Sequence, residues 1–332
     1  MTNNKLHTLY PLKFEPILKS VIWGGSDITK FKNIEPSQEG IGESWEISGV
    51  PGDVSIISNG DLAGTSLQKL LSEAKEQLVG KKVYKKFGNK FPLLIKFIDA
   101  QDHLSIQVHP DDSLAEKRHN SFGKTEMWYV VKAAPGAYLY TGFEEAITPD
   151  EYESSIKNNT FTSKLKKYNV TEGDVFFLPA GRVHAIGSGC FIAEIQQTSN
   201  ITYRIYDYDR KDINGNSREL HTELAKAAID FNVYDSYKTE YTNNLNNPVE
   251  LVTSPYFQTN LLEINIPIER DYSQKDSFVI YICLEGSANI VDNKGNIMQL
   301  QRGESLLIPA DTKNMKISTI NNCKILEVFA GE

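Results

Sequence analysis

One weak internal repeat of eight residues restricts the fold of this chain more than any other feature. Gly173-Asp174-Val175-Phe176-Phe177-Leu178-Pro179-Ala180 is matched by Gly303-Glu304-Ser305-Leu306-Leu307-Ile308-Pro309-Ala310. Both read as a glycine turn, a short apolar strand, and a proline that ends it because it has no N–H to give a neighbour. Each copy follows an apolar strand with its own glycine turn: residues 128–131 then Gly136, and residues 278–284 then Gly286. Most of the remaining chain also reads as short strands punctuated by Gly, Asn and Asp. The duplication predicts a mainly β fold of two related jelly-roll barrels, each made of two sheets, with a small helical insertion. After the shared phrase the copies diverge. The first continues Gly181-Arg182-Val183-His184, the second Asp311-Thr312-Lys313-Asn314. Chemistry is therefore expected in a first domain, residues 1–235, and a structural role in a second, residues 236–332. Residues 243–248, polar and turn-prone, read as a linker near that boundary.

Three stretches have helical rather than strand spacing. Residues 65–79 place Leu67, Leu70, Leu71, Ala74 and Leu78 on one face, with Thr65 and Gln68 as a capping box. Thr148-Pro149-Asp150-Glu151 has a threonine N-cap, proline at the first helical position and glutamate at the third, and the helix it starts is expected to end near Asn158, with a further turn or two around residues 161–167. Residues 217–231 carry Leu220, Leu224, Ala228 and Phe231 at helical spacing.

The balance of charge narrows the function. With 35 basic and 43 acidic residues the net charge is −8, which speaks against a broad nucleic-acid face or an anionic-membrane face. A small anion could still be held in a local basic pocket. Cys190, Cys283 and Cys323 are far apart and odd in number, so neither a disulfide framework nor a thiolate metal site is expected. Residues 1–10 lack the apolar core of a secretion signal, and no apolar run is long enough to span a bilayer. A cytoplasmic location is the expectation.

The chemistry gathers on a few strands. Leu104-Ser105-Ile106-Gln107-Val108-His109 alternates, with Ser105, Gln107 and His109 on one face. In a closed barrel that polar face can line the lumen, where Gln107 and His109 stand roughly 6–7 Å apart along the strand. Glu126 opens Glu126-Met127-Trp128-Tyr129-Val130-Val131, and a carboxylate there is costly to bury unless it meets a cation. Taken singly, each of these residues has an ordinary reading: a surface salt bridge of Glu126 with Lys124, or a turn histidine bonded to backbone for His184. Two histidines, a glutamate and a glutamine on successive strands of one barrel favour a metal site. Nitrogen and oxygen donors without thiolate suit Zn, Mn, Fe or Ni.

Cations accompany these donors. Asn200-Ile201-Thr202-Tyr203-Arg204-Ile205-Tyr206 alternates and sets Arg204 between isoleucine and tyrosine neighbours. Arg204 either meets an anion inside or pairs with Asp207 or Asp209. Lys96 lies within Leu93-Leu94-Ile95-Lys96-Phe97-Ile98, either reaching for an edge or pointing into a polar cavity. With Lys124 two residues from Glu126, three cations near one metal could hold a phosphorylated ligand. Glu194, in Ile192-Ala193-Glu194-Ile195-Gln196, is a further carboxylate, a candidate base or a partner for a cation.

The set resembles the type I mannose-6-phosphate isomerases of the cupin superfamily, in their short bacterial branch. The stretches that carry the resemblance are Trp23-Gly24-Gly25, Gly42-Glu43-Ser44-Trp45-Glu46, Pro92-Leu93-Leu94-Ile95-Lys96, Leu104-Ser105-Ile106-Gln107-Val108-His109-Pro110-Asp111, Gly123-Lys124-Thr125-Glu126-Met127-Trp128, Pro179-Ala180-Gly181-Arg182-Val183-His184 and Tyr203-Arg204-Ile205-Tyr206-Asp207-Tyr208. The resemblance implies one zinc ion per chain at Gln107, His109, Glu126 and His184. It implies an active-site arginine at Arg204, which either contacts the substrate or stabilises a developing oxyanion. It also implies supporting roles for Lys96 and Ser105 at the substrate and for Lys124 and Glu194 in catalysis. The implied reaction interconverts mannose 6-phosphate and fructose 6-phosphate through an enediol, on a small sugar phosphate, in a monomer or weak homo-oligomer. Many members have an aspartate four residues before the arginine, where this chain has Asn200, which cannot serve as a carboxylate base. Two other readings share the residues: an iron-dependent cupin oxygenase, because two His and one Glu form a facial triad, and a sugar-phosphate-binding regulator without turnover.

Overall fold

The computed structural model describes residues 9–211 and 214–331. Its strands form four sheets of seven, five, five and four strands. The seven-stranded sheet runs Ile17–Gly25, Ile41–Ile47, Leu93–Ala100, Cys190–Gln197, Glu126–Ala133, Val175–Leu178, Lys238–Thr239. The first five-stranded sheet runs Tyr203–Tyr206, Ile106–Val108, His184–Ile186, Tyr138–Phe143, Leu165–Asn169. Ile98, Trp128, Val130, Phe176 and Ile192 from the larger sheet pack with Leu139 and Ile186 from the smaller one in a single core. The remaining five- and four-stranded sheets share a second core, in which Leu262, Val279, Tyr281 and Leu306 meet Ile290, Leu300, Met315 and Ile317. The mainly β, jelly-roll expectation is met as paired sheets; among the described residues neither pair is hydrogen-bonded into a closed barrel.

The two copies of the repeated phrase occupy the same place in their sheets. Val175–Leu178 pairs with Glu126–Ala133, and Ser305–Ile308 pairs with Val279–Glu285. His184 and Asn314, where the copies diverge, each open the next strand, His184–Ile186 and Asn314–Ser318. The chain divides into two units: one of residues 18–44 and 95–239, the other of residues up to 17, 45–94 and 240 onwards. This differs from a single cut after residue 235. Residues 45–94, read as part of the first domain, cluster instead with the C-terminal sheets. Asp276, for example, accepts hydrogen bonds from the backbone N–H groups of Lys81 (2.7 Å) and Lys82 (2.9 Å) at the start of the helix Lys81–Phe87.

The helices adjust the sequence reading in two places and meet it in a third. Residues 65–79 are broken into Leu67–Ala74 and Glu76–Val79 at Lys75, whose φ is +49°, and the cap is Ser66, which accepts from Lys69 N, rather than Thr65. Thr148, Pro149 and Glu151 form the expected capping box on Pro149–Lys157. A 3-10 turn, Phe161–Lys164, follows before the strand Leu165–Asn169. Of residues 217–231 only Thr222–Lys226 is α-helical, and Leu220 and Leu224 are exposed. Tyr152, Phe161, Ala225 and Ile229 from this helical layer cover Ile106, Val108, Val183, Ala185, Tyr203 and Ile205. The five-stranded sheet therefore buries its apolar outer face under helices, and its inner face is free to be polar where Gln107 and His184 stand.

Candidate metal centre

His109, Glu126 and His184 come together, fully buried, with one ligand atom from each within 4.8 Å of the others. They reach this point from different strands. Glu126 opens Glu126–Ala133 and His184 opens His184–Ile186, while His109 follows Ile106–Val108. Gln107 is paired in register with His184 across the sheet, and its amide Nε2 lies 3.3 Å from His184 Nε2. Gly181 N donates to His109 O at 2.9 Å, which ties the loop after the repeated phrase to the histidine strand.

Backbone carbonyls fix both imidazoles. His109 Nδ1 lies 2.9 Å from Ile201 O, and His184 Nδ1 lies 2.8 Å from Arg182 O. A carbonyl only accepts, so each Nδ1 carries the proton and each Nε2 presents a lone pair. Those lone pairs converge on Glu126: His109 Nε2 is 3.5 Å from Oε2 and His184 Nε2 is 3.3 Å from Oε1. Burial, and then the positive charge of Lys124, hold His109 well below the usual histidine range and bring His184 down to about 3, so both rings are neutral. Burial, and then Glu194, push the Glu126 carboxyl up to about 7. Neither Glu126 oxygen has a hydrogen-bond partner of good geometry, though Lys124 Nζ stands 2.7 Å from Oε2. Two imidazole lone pairs and a buried carboxylate facing one another suit a cation at their centre. The donor set, nitrogen and oxygen without sulfur, fits a borderline divalent metal. Among the described residues this is the one such cluster of three.

The surrounding charges extend the site. Lys124 Nζ lies 3.0 Å from His109 Nε2 as well as beside Glu126, so its pairing with Glu126 is buried rather than a surface salt bridge. Lys96 points inward, 3.3 Å from Glu194 Oε1 and 3.5 Å from Glu43 Oε2. Burial alone would lower the Lys96 ammonium, but Glu43 and Glu194 outweigh it and raise it above the ordinary lysine range. Glu194 Oε2 accepts from Trp128 Nε1 at 2.8 Å, and the Trp128 and His184 rings meet nearly perpendicular with centroids 5.2 Å apart. Burial raises Glu194, yet Lys96 and Lys124 more than offset this and leave it below the usual glutamate range.

Arg204 is half-buried and lies opposite Gln107 in register. Its Nε donates to Ser105 Oγ at 3.3 Å and its Nη1 to Glu219 O at 3.0 Å, so it pairs with neither Asp207 nor Asp209. The strand around it is shorter than the alternation implied, Tyr203–Tyr206, and Asn200 is exposed outside it. Leu104 likewise leaves the face of Ile106 and Val108 and joins the inner core. Sequence reasoning missed Glu43, although it stands in the quoted stretch Gly42-Glu43-Ser44, where a carboxylate on a strand was a usable signal. It also missed the carbonyls of Arg182 and Ile201, which leave no trace in side-chain identity.

The phosphomannose isomerase type I catalytic domain matches residues 11–132, and the mannose-6-phosphate isomerase cupin domain matches residues 247–329. The chain is 32% identical over 319 residues to mannose-6-phosphate isomerase ManA of Bacillus subtilis, covering 95% of this chain and 98% of the relative. It is 34% identical over 310 residues to mannose-6-phosphate isomerase of Streptococcus mutans, covering 92% and 94%. The crystal structure of the mannose 6-phosphate isomerase from Bacillus subtilis is similar at TM-score 0.86 and 30% identity, covering 96% of this chain and 99% of that one. Likeness at this identity over nearly the whole length embraces both units. The chain belongs to the type I mannose-6-phosphate isomerase family.

Proposed function

We propose that the protein interconverts mannose 6-phosphate and fructose 6-phosphate, using one zinc ion per chain held by His109, Glu126, His184 and Gln107. The observation that carries the reading is the convergence of two carbonyl-locked, neutral imidazoles on one buried carboxylate. The named relatives are isomerases along nearly their full length, so neither an oxygenase nor a regulator without turnover is favoured. The unit of residues 18–44 and 95–239 carries the chemistry; the C-terminal sheets have Asn314 where the first copy has His184.

The reaction moves a proton between the first two carbons of the open-chain sugar. A carbon acid beside a carbonyl loses its proton readily only if the oxygen that gains charge is stabilised. A divalent metal bound by these donors supplies Lewis-acid polarisation of such an oxygen. Arg204, with its Nε on Ser105, brings a fixed positive charge to the same inner face. Glu194 is occupied by Trp128 and Lys96, so it acts by holding Lys96 in place. Lys124, whose ammonium touches both Glu126 and His109, stands nearest the donors for moving a proton. Exposed Asn200 contributes no base.

The test is a coupled assay for fructose 6-phosphate formation on protein stripped with a chelator and then given Zn²⁺. Activity should vanish on stripping and return with the metal; full activity without metal would reject the metal-dependent reading. Arg204→Ala should keep its zinc and lose about 10²–10³-fold in turnover, the cost typical of removing one donor to a developing charge. Wild-type turnover in that variant would remove Arg204 from the site.

A further inference from the structure

We infer that His221 is a positioning residue for Arg204: it clasps the arginine's backbone from the outer edge of the sheet and so keeps the guanidinium fixed, an inference that rests on the isomerase reading above. The strand Tyr203–Tyr206 stands at the edge of its five-stranded sheet, with Ile106–Val108 as its neighbour. An edge residue whose N–H and C=O both point outward has no strand to pair with. Arg204 is such a residue. Its C=O accepts from His221 N at 2.7 Å, and its N–H donates to His221 Nδ1 at 3.2 Å. One histidine thus takes the place of a missing strand, with its amide as donor and its ring nitrogen as acceptor.

The same short segment holds the side chain. Arg204 Nη1 donates to Glu219 O at 3.0 Å, two residues before His221, so three hydrogen bonds join residues 219–221 to one arginine. With Nε on Ser105 Oγ, the guanidinium is gripped from both sides, and among the described residues Nη2 is left without a hydrogen-bond partner and available to a ligand. The clasp depends on where the next helix starts. In a helix over residues 217–231 the His221 N–H and the Glu219 C=O would bond within the helix's own ladder. The helix begins only at Thr222, which leaves both groups to Arg204.

His221 serves the strand at the expense of its own helix. It is the N-cap of Thr222–Lys226, where a side chain ordinarily accepts from an N–H of the first turn, yet it makes no such bond. Its acceptor is turned to Arg204 instead. Because Arg204 N–H donates to it, Nδ1 carries the lone pair and Nε2 the proton. That is the reverse of His109 and His184, whose Nδ1 atoms carry the proton. His221 Nε2 faces Glu219, with Oε2 at 3.8 Å. The consequence for the reaction is geometric. A charge misplaced by about 1 Å from a reacting centre can cost on the order of 10²-fold in rate. An unpaired edge would let the Arg204 backbone, and its guanidinium with it, shift on that scale.

The experiment uses zinc-loaded enzyme. Wild-type turnover of mannose 6-phosphate comes first: its absence overturns the isomerase reading itself, and this inference with it. With an active wild type, His221→Leu, which fills similar space without an acceptor, should lower kcat about 10- to 100-fold and change KM less, while zinc content stays at one per chain. His221→Asn, whose Oδ1 stands where Nδ1 does, should recover most of that loss. His221→Gln, with its oxygen one bond further out, should behave like the Leu variant and takes its place if that protein does not fold. The deciding measurement is a double-mutant cycle. Added to Arg204→Ala, His221→Leu should lower kcat by no more than about twofold, because it acts through the arginine that is already gone. An equal loss in both backgrounds would mark a general structural role and overturn the inference, as would kcat within about twofold of wild type for the Leu and Gln variants.

Discussion

His184→Ala is expected to lose bound zinc and to lower turnover by on the order of 10³-fold, because a metal stabilising transition-state charge is worth several kcal/mol and each 1.4 kcal/mol is about tenfold. The loss should be that large because nothing nearby can replace the imidazole. Glu126 is fully buried, His109 has its lone pair beside Lys124, and Gln107 presents a neutral amide. The fold should survive, since the strand His184–Ile186 keeps its pairing with Tyr138–Phe143 and Ala185 and Ile186 keep their cores. Metal analysis and circular dichroism on the same sample separate these effects. A zinc-free His184→Ala protein that turns over like the wild type would end the case for this metal centre. Restoring zinc affinity with His184→Cys, a ligand of different softness, would show that the position acts through coordination and not through packing.

Lys96→Met is expected to destabilise the protein by about 3–5 kcal/mol, the usual cost of leaving one member of a buried ion pair without its partner. Glu194 is 3% exposed and would keep the Trp128 N–H and the charge of Lys124 but lose its paired ammonium, in a region that already holds the Glu126 carboxylate. The check is the urea midpoint of zinc-loaded protein. Lys96→Met combined with Glu194→Leu should recover part of the loss, since replacing both charges removes the orphan. Equal midpoints for wild type and Lys96→Met would mean that Lys96 does not stabilise the fold through this pair.

How far the residues alone could be read depends on where the physical signal lies. The capping box at Thr148 was legible because its partners are three residues apart, and local geometry satisfies it. The helix expected over residues 217–231 was not, because its apolar spacing serves a short helix and loop laid on a sheet, with Leu220 and Leu224 left in solvent. The strand expected over residues 104–109 shrank to Ile106–Val108 for a similar reason: Leu104 packs in the inner core, which breaks the alternation one residue pair early. The pairing of Lys96 with Glu194 was half-visible. Each charge stood out in an apolar strand, but residues almost a hundred positions apart give no sign that they meet.

The sequence by itself determined the donor types, the strands that carry them, and which copy of the repeated phrase holds the histidine, because these follow from residue identity and period-two alternation. It could not say which face of the strand Ile106–Val108 would be the interior. Alternation defines two faces and leaves their surroundings open. The tertiary structure decided this by covering the apolar face with the helices Pro149–Lys157 and Thr222–Lys226, which turns Gln107 toward His184. It also supplied the carbonyls that orient both imidazoles, and it laid His221 against the backbone of Arg204. Those contacts join backbone atoms or distant segments, and only the closed chain brings them within hydrogen-bond range.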